Sequence, residues 1–181
     1  MEEEADEGAF SSFFRRNFAQ VAASLSLALG SPELGEEAAA EAFARTYARW
    51  STVRAYDSPV GWTYRVGLNH GLRSAKRRGR EAVLLGRAGY PATPAEPSTD
   101  VDFWVLLRAL PDRQRIAAAL RYGADLTETQ IAQIMRVRRS TVSSALEAAR
   151  SKLGPLVGAE DPIGAHPGPA ANPASKERSQ T

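Results

Sequence analysis

Cysteine is absent from this 181-residue sequence, and histidine occurs only at His70 and His166. Without cysteine the chain can form neither a disulfide framework nor a thiolate metal site, and the two histidines lie too far apart in sequence to suggest a local metal site. The sequence also shows no carboxylate pair, no nucleophile beside a base and no phosphate-binding loop. We therefore predict that the protein is not an enzyme and uses no cofactor or metal.

Long apolar runs are missing as well. No stretch approaches the roughly 18 apolar residues of a membrane-spanning helix. The sequence begins MEEEADEG, which is acidic, whereas a signal peptide begins with a basic region. These absences predict a cytoplasmic protein without membrane insertion.

Positive and negative charges are segregated along the chain, although the formal net charge is only +2. Residues 1–44 hold two Lys or Arg against nine Asp or Glu, whereas residues 45–80 hold nine against one. A second basic block, residues 105–153, holds nine against four. Two separate basic faces indicate a polyanion that is contacted twice, although purely solubilising faces would produce the same composition.

Apolar residues recur at helical spacing through the first part of the chain. Three stripes predict three helices that bury their apolar faces against one another as a bundle over residues 10–79. Gly30 and Pro32 end the first helix, and Pro59 opens the third, where its missing N–H is not needed. The stripes consist of Phe10, Phe14, Phe18, Val21, Leu25 and Leu29, of Ala39, Phe43, Tyr47 and Trp50, and of Tyr64, Leu68, Leu72 and Ala75.

The helical pattern returns over residues 101–154. Thr127 with Gln130 three residues later is the signature of a capping box and predicts a short helix, Glu128–Met135. A tight turn and a second stripe then predict a helix over residues 140–153. This pair of helices has the dimensions of a helix-turn-helix. The second stripe consists of Val142, Leu146, Ala149 and Leu153.

The remaining segments lack a sustained period. Residues 80–100, rich in Gly, Pro, Ala and Thr, predict a flexible linker, which at full extension would reach roughly 65 to 70 Å. Residues 1–9 form an acidic N-terminal extension, and residues 155–181 predict a disordered tail. We therefore expect an all-α chain of two small helical domains, a three-helix bundle and a helix-turn-helix domain, which the linker allows to contact well-separated sites.

Three arginines stand at the N-terminal end of the second helix of the predicted helix-turn-helix. A cation at a helix N-terminus loses up to about 1 kcal/mol unless an anion lies nearby, and DNA phosphate supplies such an anion. The N-terminal residues of this helix would enter the major groove. An ordinary helical hairpin within a bundle is the alternative interpretation. The residues predicted to contact DNA are Arg136, Arg138, Arg139, Ser140, Thr141, Ser143 and Ser144.

The first basic block interleaves arginines with aromatic residues. Aromatic rings beside cations provide stacking platforms and phosphate neutralisation, which is how single-stranded nucleic acid is held. Aromatic residues at helical spacing are also typical of a core, and this is our interpretation of Tyr47 and Trp50. For Trp62 both interpretations stay open.

The order of these parts resembles that of bacterial RNA polymerase sigma factors of the extracytoplasmic-function group. The matching segments are residues 30–50, 58–78 and 110–153, which cover most of the chain before the tail. The resemblance implies a sigma-two-like domain (10–79) and a sigma-four-like domain (101–154) that dock on RNA polymerase core enzyme. The first would melt the downstream promoter element, and the second would read the upstream element as duplex DNA. An anti-sigma factor is implied as a further partner.

The resemblance also implies roles for individual residues. It assigns binding of core polymerase to Glu37, Glu41, Phe43, Arg45 and Trp50. It assigns capture of the melted downstream strand and its flanking phosphates to Trp62, Arg65, Asn69, Lys76, Arg77 and Arg78.

The sequence departs from the family's pattern at several positions. Ala40 replaces a glutamine of the core-binding helix, and Arg73 replaces an aspartate. At the turn, Arg136 stands where the family has glycine, which implies a left-handed backbone that costs a non-glycine residue about 1 kcal/mol. Arg138 stands at a serine N-cap, and Ala145 replaces an arginine of the recognition helix. Positive charge has thus moved from the helix body to the turn, which indicates phosphate clamping more than base reading.

Two other functions fit parts of the pattern. One is a helix-turn-helix DNA-binding regulator that does not join polymerase, which Ala40 and Arg73 favour. The other is an interaction protein whose helices bind a partner and whose DNA binding is absent. The first domain favours the sigma-factor hypothesis, because a simple regulator does not need it in this form.

Overall fold

The structure is a computed structural model that describes residues 2–84 and 103–154. Every secondary-structure element within these two ranges is helical, which confirms the predicted all-α fold. The elements are α1 Glu2–Leu29, α2 Pro32–Tyr47, α3 Trp50–Val53, α4 Pro59–Leu84, α5 Phe103–Arg108, α6 Asp112–Ala118, a π-helical turn Ala119–Gly123, α7 Glu128–Met135 and α8 Arg139–Leu153. The predicted tail and most of the predicted linker lie outside the described residues.

The helix ends follow the local signals in the sequence. Gly30 has a φ of 71° and ends α1, and the Ser31 hydroxyl then accepts the Leu34 N–H at 3.2 Å as the N-cap of α2. The Ser58 hydroxyl accepts the Gly61 N–H at 3.0 Å at the start of α4. These side chains satisfy backbone donors that the first turn of a helix leaves without a partner.

Two helices extend further than the sequence pattern predicted. Residues 2–9, expected as a separate acidic extension, belong to α1, and Asp6 forms an ion pair with Arg54 after α3. Acidic residues suit the first turns of a helix because they interact favourably with its dipole. Residues 80–84, expected as the start of the linker, continue α4. The helix-forming Arg80, Glu81 and Leu84 support this continuation.

The first domain is built on contacts among α1, α2 and α4. Val21, Leu25 and Phe43 are almost fully buried at its centre, together with Tyr64 and Leu68 of α4. The Thr46 and Thr63 hydroxyls lie 3.0 Å apart in this core, so that each polar group has a partner where α2 meets α4. The three-helix bundle predicted from the stripes is therefore present, with the short α3 between its second and third long helices.

The two domains share one hydrophobic core. The buried cluster that contains Leu25 and Ala28 of α1 continues into Ile116 of α6, Leu120 of the π-helical turn and Ile131 of α7. Small residues allow the backbones to approach closely, since Ala117 and Ala119 are fully buried. In this arrangement the helix-turn-helix lies against the first domain and not at a distance from it.

Arg115 ties the second domain to the end of α1. Its Nε donates to the Ala28 carbonyl oxygen at 3.2 Å, and its terminal nitrogens donate to the Leu110 carbonyl oxygen at 3.3 Å and the Asp112 carboxylate at 2.7 Å. The carbonyl groups in the last turn of a helix lack partners within that helix and attract cations. Arg115, whose side chain is only 16% exposed, therefore links the domains by a directional contact in addition to apolar packing.

We predict that a bulky side chain at Gly123 opens the interface between the domains. A Cβ atom at Gly123 would lie 3.3 Å from the Ser24 hydroxyl and 3.5 Å from Leu27 Cδ1, so even the first carbon of a Gly123→Gln side chain presses against α1. We expect a loss of about 1 to 3 kcal/mol in the free energy of unfolding. Small-angle scattering of the folded variant should show a larger radius of gyration.

Gly79→Gln is the matched control for this variant. Gly79 is an exposed helical glycine, and a Cβ atom there would meet nothing within 4 Å. Because glycine is unfavourable inside a helix, this change should leave stability equal or slightly higher and the radius of gyration unchanged. Equal behaviour of the two variants would contradict a tight interface at Gly123.

Candidate nucleic-acid interface

The helices α7 and α8 meet at a turn whose backbone is left-handed at Arg136. This residue has φ 54° and ψ 47°, as the glycine of the related pattern implied. The Val137 N–H donates to the Ala132 carbonyl oxygen at 3.0 Å, which closes the end of α7. Val142 and Leu146 are buried and anchor α8 beneath the turn. The predicted helix-turn-helix is therefore present, and strain at Arg136 is part of its geometry.

The start of α7 carries the predicted capping box. The Thr127 hydroxyl accepts the Gln130 N–H at 3.3 Å, and the Gln130 side-chain oxygen accepts the Thr127 N–H at 2.8 Å. Two backbone donors are thus satisfied reciprocally, which holds α7 in place for its contact with α8.

The N-terminal end of α8 is open to solvent. Arg138 is the N-cap in an extended conformation, and its side chain makes no capping hydrogen bond. The first turn of α8 contains no acidic residue, so its free backbone N–H groups and the exposed arginines form one electropositive end. The exposed members of the predicted set are Arg136, Arg138, Arg139, Ser140 and Ser144, while Thr141 and Ser143 are half-buried.

One carboxylate, missed in the sequence analysis, contacts this end. Glu128 Oε2 accepts from Arg139 Nε at 3.1 Å and from the Ser143 hydroxyl at 2.7 Å. The hydrogen bond from Ser143, followed by the one from Arg139, lowers the pKa of Glu128 below its ordinary value. Two of the seven predicted DNA contacts therefore already have a partner within the protein. Glu128 stands 11 residues before Arg139, a separation at which sequence spacing indicates no contact.

The residues predicted for the downstream element divide into two groups. Trp62 and Arg65 are half-buried and line a cleft of about 400 Å³ between the start of α4 and α7, where Gln130 and Gln133 form the opposite wall. Lys76 and Arg77 lie exposed on the last part of α4, and Asn69 is half-buried between the two groups. The cleft therefore joins two residues of the predicted downstream set to α7 of the helix-turn-helix, while the residues predicted for the upstream element lie outside it.

Glu37 and Arg78, predicted for two different partners, bind each other. Arg78 Nη2 donates to Glu37 Oε2, while Ser74 Oγ donates to Oε1 at 3.0 Å and His70 Nε2 lies 3.1 Å from the same atom. The hydrogen bonds from His70 and Ser74 lower the pKa of Glu37. The sequence analysis did not select His70 or Ser74, although residues 70, 74 and 78 follow one another at the spacing of a single helix face.

The other residues predicted to bind core polymerase differ in exposure. Glu41 Oε1 and Arg45 Nε lie 2.7 Å apart as an exposed pair on α2. Phe43 is 2% exposed and packs against aromatic rings of α1, so its role in this structure is core packing. Trp50 is half-buried with its ring centroid 5.0 Å from that of Phe13, which agrees with its interpretation as a core residue.

The prediction of a core position for Tyr47 is wrong. Its side chain is 54% exposed, although its ring centroid lies 4.9 Å from that of Phe10. The stripe that includes Phe43 continues to the last residue of α2, where the contact with α1 leaves about half of the Tyr47 side chain at the surface. Tyr47 therefore exposes an aromatic surface at the C-terminal end of α2, beside Phe10 of α1.

The comparisons with known proteins agree with this geometry. Residues 101–153 match the family model described as Sigma-70, region 4. The structure is similar to that of the sigma factor RpoE from Bartonella quintana, solved in a co-crystal with the anti-sigma factor NepR. The TM-score is 0.73 at 17% sequence identity, and the match covers 84% of this chain and 98% of that chain. No curated protein matches the chain in sequence.

The family match and the structural match concern different extents of the chain. Residues 101–153 are similar to sigma-70 region 4, and the fold of the chain is similar to that of the solved sigma factor. This fold is the one that the resemblance to sigma factors implied. Among the described residues, no helix has the length and hydropathy needed to cross a bilayer.

We predict that Arg136 lowers the stability of the fold through its left-handed backbone and that its positive charge contacts a DNA phosphate. Arg136→Gly should raise the free energy of unfolding by about 1 kcal/mol relative to Arg136→Ala, because only glycine relieves the left-handed strain. Both variants lose the charge, so both should lower the salt dependence of DNA binding by about one phosphate contact. Denaturant titration and binding at several salt concentrations separate the two effects. Equal stability of the two variants would contradict the strain.

We predict that Glu37 stabilises the first domain in a pH-dependent way. Its pKa is lowered in the folded state, so its contribution is present above the pKa of the unfolded chain and disappears as the pH falls through the folded value. At pH 7, Glu37→Gln should reduce the free energy of unfolding by about 1 kcal/mol, after allowance for partial exposure. The difference from the wild type should shrink in acid. The exposed neighbour Glu36→Gln is the control and should change stability little at either pH.

Proposed function

We propose that this protein binds RNA polymerase core enzyme and directs transcription initiation at particular promoters. The helix-turn-helix would read the upstream promoter element, and the first domain would melt the downstream element. The main support is that a sigma-70 region 4 domain with an exposed, arginine-rich recognition end occurs on a chain with a sigma-factor fold. The protein itself supplies no bond chemistry in this role, since the polymerase forms the RNA.

The geometry of α8 supports the upstream contact. Arg136 and Arg138 are exposed and have no ion-pair partner within the residues that the structure describes. Side chains of this kind and backbone N–H groups at a helix N-terminus bind phosphates and set the register of the protein on duplex DNA. Ser140, Thr141 and Ser144 then face the major groove from the first turns of the recognition helix.

The surface around Trp62 supports contact with a melted strand. The Trp62 ring offers a stacking platform, Arg65 makes no hydrogen bond or ion pair within the described part of the chain, and Lys76 and Arg77 continue the positive charge along α4. Helix α7 covers one side of this cleft. We propose that the cleft opens when the protein joins polymerase, because binding of a partner that prefers the open state shifts the equilibrium towards it.

The outer face of α2 is the proposed contact for core polymerase. Glu41 and Arg45 are both at the surface there. At the end of the helix, on the side of α1, Tyr47 offers an exposed ring of the kind that is enriched in interfaces. Glu37 is held by α4 and Phe43 is buried, so we expect their influence on polymerase binding to be indirect.

One observation favours a second candidate function, a DNA-binding regulator that does not join polymerase. Glu37 is turned towards α4, and Ala40 provides no polar group, so that part of α2 offers a partner little hydrogen bonding. Such a regulator would still bind duplex DNA selectively through α8.

An anti-sigma factor is proposed as a further partner. The support is that the structurally similar RpoE was solved in complex with the anti-sigma factor NepR. A protein that acts on RNA polymerase would work in the cytoplasm, and we propose that location for this chain.

Reconstituted transcription tests the proposal. Purified protein mixed with bacterial core polymerase should co-elute with it in gel filtration and should direct run-off transcription from particular starts in a library of promoter sequences. Selective binding to duplex DNA without binding to core would support the regulator instead. The absence of any salt-dependent DNA binding would support a protein that only binds other proteins.

We predict that Arg45 contributes to polymerase binding and not to DNA binding. Arg45→Glu should weaken association with core by roughly tenfold, because it reverses a charge at the centre of the proposed contact. Arg16→Glu, an exposed arginine on α1, is the matched control for the change in net charge and should have a small effect. Fluorescence anisotropy of labelled protein measures the affinity of each variant for core polymerase. An equal loss of affinity in the two variants would contradict a contact at Arg45.

A further inference from the structure

We propose that Arg139 reads a guanine in the upstream element and that Glu128 is the positioning residue that holds its guanidinium for this contact. The inference rests on the proposed DNA-binding function of the helix-turn-helix. It divides the three arginines at the turn into two phosphate contacts, Arg136 and Arg138, and one base contact, Arg139.

The first observation is that Glu128 is itself fixed. Its Oε2 atom receives the Ser143 hydroxyl at 2.7 Å and Arg139 Nε at 3.1 Å, and Ser143 Oγ also lies 3.3 Å from the Arg139 carbonyl oxygen. Glu128 is the first residue of α7, and Arg139 is the first residue of α8. One carboxylate oxygen therefore joins the starts of both helices, and a hydroxyl one turn further along α8 holds it there.

The second observation concerns the side of the Arg139 guanidinium that the ion pair with Glu128 occupies. The Glu128 side chain is 29% exposed and that of Arg139 is 72% exposed, so the carboxylate lies on the inner side and the guanidinium on the outer side. Only the Nε–H of Arg139 is used, and arginine has four more N–H donors on its two terminal nitrogens. These two nitrogens remain free to act as a pair.

A pair of parallel N–H donors matches guanine in the major groove. Guanine presents its O6 and N7 atoms there as neighbouring acceptors, and a bidentate arginine is the commonest contact to them. The N-terminal residues of the recognition helix are the ones that reach base edges. Holding the side chain in advance reduces the entropy that it loses on binding.

The charge of the pair argues against a phosphate contact for Arg139. The Glu128 carboxylate offsets the positive charge of Arg139, and it would repel a phosphate brought close to the guanidinium. A guanine edge carries no net charge and requires donors in the correct geometry. Arg136 and Arg138, which have no carboxylate partner in the described ranges, keep the full charge that a phosphate attracts.

The state of Glu128 at neutral pH is consistent with this role. Its pKa is lowered, first by the hydrogen bond from Ser143 and then by Arg139, so the carboxylate is ionised there. Glutamine at this position would keep the shape and lose the charge. It would leave the capping box of Thr127 and Gln130 intact, so the helix-turn-helix should still fold.

The test uses the full-length chain, bound to core polymerase if reconstitution succeeds and alone on duplex DNA otherwise, with a library randomised over the upstream element. Sequencing of bound DNA gives the preference at each base pair, and titration at several salt concentrations gives the slope. Arg139→Ala should lose about tenfold or more of the preference for one G·C pair and leave the slope nearly unchanged. Arg138→Ala should weaken binding equally across sequences and reduce the slope by about one contact.

Two further variants separate base reading from a purely structural role. Arg139→Lys keeps the charge but cannot make the paired donor contact, so it should lose the same preference as Arg139→Ala. Glu128→Gln releases Arg139 towards the phosphates, so the preference at that G·C pair should fall several-fold while the salt slope becomes steeper by about one contact.

Each outcome decides the inference. If Arg139→Ala weakens binding uniformly and lowers the slope, as expected for Arg138→Ala, then Arg139 is a phosphate contact and the inference is wrong. The same holds if Glu128→Gln leaves the preference unchanged. If the wild-type protein itself shows no sequence preference, the proposed DNA-binding function is wrong and this inference is wrong with it. That result is distinguishable from one in which the wild type has a preference and only the variants lose it.

Discussion

The packing of α1 against both domains is the constraint on which the rest of the structure depends. Its buried residues, among them Leu25 and Ala28, belong to one continuous cluster that includes side chains of α4 and of the helix-turn-helix. A helix with apolar residues on more than one side needs packing partners on each of those sides. For α1 these partners are the other helices of the first domain and the helices of the second domain. Because α1 is common to both domains, the position of α7 over Trp62 and Arg65 follows from it.

Carboxylates on α2 and α7 neutralise part of the positive charge of the two basic blocks. Glu37 forms an ion pair with Arg78, and Glu128 forms one with Arg139. The two basic blocks therefore present less unpaired positive charge than their composition indicates. Within the described residues, cations without an ion-pair partner include Arg136 and Arg138 at the turn before α8 and Arg65 and Lys76 on α4, whereas Arg77 lies 4.0 Å from Glu81. Such a division suits a protein that needs both non-specific attraction to phosphates and geometric contact with bases, because the two tasks require different surroundings for an arginine.

Much of the fold and part of the candidate site could be predicted from sequence. The capping box at Thr127 and the left-handed residue Arg136 depend on neighbours within four positions, and both are as expected. The predictions failed where the end of a helix or the burial of a side chain depended on contacts with another helix. Tyr47 continues a correct stripe but lies beyond the helices that would bury it, and α1 and α4 run past the breaks in their apolar patterns.

The sequence by itself determined the helices, their apolar faces and the helix-turn-helix, because backbone hydrogen bonds and side-chain periodicity act over one or two turns. Only the tertiary structure decided which charges pair and how the domains meet. Arg115 reaches Ala28 across 87 positions, and Glu37 reaches Arg78 across 41, and no local pattern links such residues. Polar contacts of this kind form where the packing of the helices brings two surfaces together. They therefore follow from the arrangement of the helices and cannot be predicted from local sequence patterns.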